Sequence, residues 1–192
     1  MKPLLTITFI FFFTSLLSQA LIPDAVVVKR AYKKLAADTN NNKLIKSYID
    51  AFPSNSKTFL DLFLSKNLDQ LDNESNKYLD LFERCAVKYP EKVLSKCVKI
   101  GKNLTWDADV VGQLQQISIE LSIKYLNNFI DSYNTLNSKE QNSLINFYAD
   151  VENYDAYPEF QELIDKLNSL GQTGISNKLK KARAKRKRSD DH

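Results

Sequence analysis

The chain has a single histidine, and it is the last residue, His192. An imidazole at that position is not expected to be held as a positioned base, so Ser-His and Cys-His nucleophile systems are not expected. The histidine-bearing zinc and iron sites lack their ligands for the same reason. Glycine is nearly as scarce, at four residues, and none of them builds a Gly-rich phosphate loop. No Asn-Gly or Asp-Gly pair occurs, which removes the strongest short β-hairpin signal. Calcium loops fail by composition. Asp107, Asp109 and Gly112 fit the first, third and sixth positions of an EF-hand, but Val111 and Ser118 stand at the fifth and twelfth. In "DTNNNK" at 38–43, Lys43 sits where the turn needs glycine. No metal, cofactor or small-molecule substrate is therefore expected. After Leu21 no apolar run approaches the roughly 20 residues that span a bilayer as a helix.

What is present begins with "MKPLLTITFIFFFTSLLSQA", one cation at Lys2 followed by apolar sequence from Leu4 to Leu17. Ser18-Gln19-Ala20 then places small residues where a signal peptidase reads, which is the layout of a cleaved secretory signal. The expected organisation is a signal peptide over 1–20 cleaved after Ala20, a helical domain over 21–174 and a basic tail over 175–192. The mature chain is expected in the periplasm or outside the cell.

The tail "KLKKARAKRKRSDDH" holds eight cations: Lys178, Lys180, Lys181, Arg183, Lys185, Arg186, Lys187 and Arg188. Residues 21–177 keep 18 of the 27 Lys and Arg and 21 of the 23 Asp and Glu, so the body is about −3 while the tail is strongly positive. Such a tail folds onto its own acidic face, stays solvated, or adheres to an anionic polymer or membrane surface. Ile175, Leu179 and Ala182 give it a short apolar stripe, and like-charge repulsion at i,i+4 is expected to fray the helix beyond about Arg183.

Two cysteines, Cys85 and Cys97, suggest one disulfide in an oxidising compartment, with two packed free thiols as the alternative. A hairpin turning at Pro90 places them about 6 Å and about 10 Å from the turn at roughly 1.5 Å per residue, an offset a disulfide bridges if the faces meet. Two sulfurs without a nearby histidine fall short of a metal site.

Apolar spacing is helical nearly throughout. Phe160, Leu163, Ile164, Leu167 and Leu170 follow i, i+3, i+4, i+7, as do Leu144, Ile145, Tyr148 and Val151. Ser138-x-x-Gln141 reads as a capping box, and Pro90-Glu91 and Pro158-Glu159 read as helix starts. Helices are expected near 24–37, 42–52, 57–70, 75–89, 90–101, 107–123, 125–136, 138–151, 157–170 and 175–187. Hairpins starting near 75, 107 and 138 recur every 31 or 32 residues. The expected fold is all-α, either stacked antiparallel hairpins of the α-solenoid (HEAT-like) kind or an irregular helical bundle.

Carboxylates concentrate at Asp150, Glu152, Asp155, Glu159, Glu162 and Asp165, interleaved with Tyr154, Tyr157 and Phe160. A solvated acidic face with core aromatics is the plain reading, and a paired-carboxylate enzyme acting on an envelope glycan is the competing one. "RAKR" and "KRKR" resemble dibasic processing sites, and Asn73 and Asn103 head N-glycan sequons, in case the chain is a eukaryotic secretory protein.

At "SYIDAFPSNSKTFLDLF" (47–63) and "KNLTWDADVVGQLQQ" (102–116) the chain resembles exported, all-helical proteins of Bacteroidetes-type bacteria. The shared features are Ala51-Phe52-Pro53 followed by Phe59 and Phe63, then Trp106-Asp107-Ala108-Asp109. The resemblance implies an envelope or secreted location and a helical-repeat body, and transfers no activity. The functional expectation is a non-enzymatic binding or scaffold protein, with a protein partner for its body and anionic surfaces for its tail.

Overall fold

A computed structural model describes residues 23–64, 71, 74–104, 110–150 and 157–190, leaving aside the side chains of 23, 24 and 187–190. The expected signal over 1–20, Asn73, Trp106, Asp107, Asp109, Glu152 and Asp155 lie outside the described residues. Ten helices follow in order: α1 (Pro23–Ala37), α2 (Asn42–Ala51), α3 (Ser56–Phe63), α4 (Ser75–Cys85), α5 (Pro90–Gly101), α6 (Val110–Lys124), α7 (Leu126–Asn134), α8 (Ser138–Ala149), α9 (Pro158–Ser169) and α10 (Thr173–Asp190). The fold is all-α, with no strand among the described residues.

Local chemistry sets the helix ends. Asn41 caps α2 by accepting from Lys43 N at 3.1 Å and Leu44 N at 3.3 Å, and Asn55 caps α3 by accepting from Thr58 N at 2.9 Å. The capping box of α8 is one residue earlier than expected. Asn137, not Ser138, accepts from the backbone of Lys139 and Glu140, and Glu140 accepts in return from Asn137 N at 3.1 Å. Asparagine caps as well as serine, and the acid three residues after it is Glu140. Pro90 and Pro158 do open α5 and α9. Gly171, at φ +71°, ends α9 in a Schellman motif, with Gly171 N donating to Asn168 O and Gln172 N to Leu167 O.

Each amphipathic stripe is buried in one continuous core that runs from Ala25 to Leu179. Second neighbours pack as in stacked hairpins, α4 on α6, α5 on α7 and α8 on α10. α9 however returns to α6, and α8 also meets α5, which closes the stack into a helical bundle. α5 and α6 form its centre. The end of α5 approaches α8 so closely that a Cβ on Gly101 would lie 2.7 Å from the Phe147 ring, so only glycine fits there. α6 is apolar or small on most of its circumference, with Ser118 and Ser122 fully buried. Their hydroxyls donate back to Leu114 O and Ser118 O at 2.6 Å, which is how a polar residue is tolerated mid-helix in a core. Ser122 also meets the Tyr148 hydroxyl at 2.9 Å, tying α6 to α8.

Candidate anionic-surface site on the last helix

α10 is longer than charge repulsion alone would allow, continuing past Arg183 to Asp190. It is held by its inner face, where Ile175, Ser176, Leu179 and Arg183 are buried against α8 and α9. Leu179 is 0% exposed and Arg183 only 5%. The Arg183 guanidinium donates to the Ala149 carbonyl at 3.0 Å, satisfying an acceptor at the C-terminal end of α8, where a cation is favoured. One turn on, Arg186 Nε lies 2.7 Å from the Asp150 carboxylate. At the other end, Lys178 Nζ donates to the Tyr133 hydroxyl at 3.1 Å and Gln141 Oε1 at 3.2 Å. Three of the eight tail cations are thus committed to the body.

Lys180, Lys181 and Lys185 are exposed, with Lys185 at the rim of the cleft beside α8. None of the three forms an ion pair among the described residues. At 3.6 residues per turn their positions share the outer half of the helix. Lys187 and Arg188 stand in the last turn of α10, with side chains outside the description. A shallow cleft of about 220 Å³ runs between α8 and α10, lined by Asn146, Ala149, Asp150, Ala182, Lys185 and Arg186. The arrangement is a cationic ridge on a docked helix, able to hold anions electrostatically.

The cysteines correct the disulfide expectation. Both are buried and free. Cys85 donates to Leu81 O at 3.1 Å and lines a cleft with Leu35 and Ile45 of α1 and α2, whereas Cys97 hydrogen-bonds Ser118 of α6. The axial offset suited a bridge, but the faces do not meet. Burial pushes both thiols up to about 12. In the native chain neither thiol is expected to react with a thiol reagent near neutral pH, and both should react once the protein is unfolded. Isolation of the chain two mass units light, with a melting point lowered by reductant, would contradict this.

The remaining candidate residues are dispersed. Asn103 is exposed in the turn after α5. Among the acids of 150–165, Asp150 faces Arg186, Glu162 pairs with Lys166 at 3.1 Å, and Asp165 accepts from Gln161 at 2.9 Å. Sequence reasoning passed over Glu83. Its carboxyl is raised by burial first and then by Glu120 and Asp80. It lines a cleft of about 360 Å³ with Glu120, but Arg84 and Lys124 line the same cleft and balance its charge. No group of three or more metal-ligating side chains occurs among the described residues, and no described helix is long and apolar enough to cross a membrane. Neither a protein family, a curated protein nor a solved structure matches the chain.

Proposed function

We propose that the chain is an exported, non-catalytic helical binding protein that attaches to an anionic surface through the outer ridge of α10 while its body engages a protein partner. The observation that carries this reading is the division of the tail. Lys178, Arg183 and Arg186 are engaged by the body, which leaves Lys180, Lys181 and Lys185 displayed on a fixed scaffold rather than on a loose end. Holding the cations in place lowers the ordering cost of binding compared with a free tail. Export rests on the layout of residues 1–20. Against the enzymatic alternative, the acids of 150–165 that the structure describes are mostly engaged by neighbouring side chains.

The test is retention on anionic vesicles and on heparin at two salt concentrations, comparing the parent with a Lys180→Gln/Lys181→Gln/Lys185→Gln variant. Each cation contributes about 1 kcal/mol at an anionic bilayer, so the triple change is expected to lower low-salt affinity roughly a hundredfold. High salt should shrink the difference by screening. Equal retention of variant and parent on both supports would remove the proposal.

A further inference from the structure

α1 presents two unlike faces. Ala25, Val28, Ala31 and Leu35 turn inward and are buried. Val26, Val27, Arg30, Lys33 and Lys34 recur at i, i+1, i+4, i+7 and i+8 and are all exposed, Val26 at 40% and Val27 at 50%. These positions occupy about a third of the helix circumference at roughly 3.6 residues per turn. Large exposed apolar side chains are rare among the described residues. The others, Val87 and Leu170, sit singly at the ends of α4 and α9. Only α1 sets two side by side, and it surrounds them with positive charge.

Arg30, Lys33 and Lys34 form no ion pair among the described residues, and α1 carries no acidic residue from Ala25 to Ala37. Two exposed valines beside three unneutralised cations have a specific complement. An anionic lipid surface offers phosphates to the cations and, just beneath, an apolar boundary to the valines. A dissolved polyanion would satisfy the cations and leave the valines in water. We propose that the outer face of α1 is a membrane-contact surface for an anionic bilayer, with the helix lying in the interface and Val26 and Val27 inserted. It is separate from the α10 ridge, since α1 packs on α2, α3 and α4 and α10 on α8 and α9.

The experiment uses protein with the N-terminus its producing cell leaves, and vesicles of equimolar phosphatidylcholine and phosphatidylglycerol. Val26→Ser/Val27→Ser is expected to lower partitioning about tenfold through lost apolar burial, and the deficit should persist at high salt. Arg30→Gln/Lys33→Gln/Lys34→Gln should lower it roughly a hundredfold at low salt, with the deficit closing as salt rises. Melting points should stay unchanged, because every altered side chain is on the solvent face. Heparin binding should be unaffected by the serine pair.

Serine substitution without effect on vesicles would overturn lipid contact. Should the serine pair lose nothing while the α1 charge variant loses vesicle and heparin binding alike, a polyanion is the occupant and the proposal fails. Loss confined to the α10 lysine variant would leave the α10 reading standing and overturn this one. A parent that binds neither vesicles nor heparin would overturn both.

Discussion

Deleting residues 178–192 is expected to lower the melting point by about 10 °C or more, and not simply to trim a charged end. The deletion removes Leu179, which is 0% exposed, and Arg183, which closes the end of α8 through the Ala149 carbonyl. Truncating one buried leucine to alanine typically costs about 2–5 kcal/mol. Losing the charge-assisted hydrogen bond from Arg183 to the Ala149 carbonyl adds about 1.5–3 kcal/mol. A chain of this size loses roughly 2–4 °C per kcal/mol, which gives the stated shift. By contrast, Lys180→Gln/Lys181→Gln/Lys185→Gln alters only solvent-facing side chains and should leave the melting point within about 1 °C. Circular dichroism melts of the three proteins side by side check this, and amide exchange should report the loss first in α8 and α9. A deletion protein melting with the parent would mean that α10 does not dock.

This contrast bears on how the last helix reads in sequence. Ile175, Leu179 and Ala182 are visible as a stripe, but the eight surrounding cations suggest a helix that frays. The magnitudes decide otherwise. A like-charge i,i+4 pair costs only about 0.2–0.5 kcal/mol, whereas full burial of one leucine contributes about 1.5–3 kcal/mol. Arg183 and Lys185 look alike in the sequence, and what separates them is where α8 stops. Arg183 is buried because its long stem packs while its guanidinium meets a carbonyl some 34 positions away, a non-local fact no window of residues contains.

The same limit applied to the cysteines. Periodicity places all ten helices and sets α5 to start at Pro90, but α4 ends at Cys85 and not at 89, and periodicity does not fix how each helix is rotated against its neighbours. Cys85 is turned toward α1 and α2, and Cys97 toward α6. The start of α8 at Ser138 was legible, but not which of two neighbouring polar side chains caps it, Asn137 and not Ser138. The outer lysines of α10 were legible as charge, but not as a ridge. The exposed valines of α1 were invisible, because a valine among helical apolar positions reads as core until the packing shows which side it is on.

Replacing Phe82 with alanine is expected to destabilise the chain by about 3–5 kcal/mol, and the reason bears on the Ala51-Phe52-Pro53 motif. Phe52 stacks on Phe82 with ring centroids 3.8 Å apart and planes 7° from parallel, and Phe63 lies 5.6 Å from Phe52. Phe59 stacks on Phe63 at 4.8 Å, while Tyr48, 6.1 Å from Phe52, donates its hydroxyl to Tyr78 O at 2.7 Å. The quoted phenylalanines are therefore an aromatic layer joining α2, α3 and α4, all of it buried. Stacked pairs contribute about 0.5–1.5 kcal/mol beyond their burial, so Phe82→Leu should recover much but not all of the loss. Urea unfolding should show a lower midpoint with unchanged slope for both variants. Where the alanine variant is still folded, its vesicle and heparin binding should equal the parent's, because the layer lies in α2–α4 and the cationic ridge in α10. A folded Phe82→Ala protein that binds more weakly would place the aromatic motif within the binding function instead of beneath it.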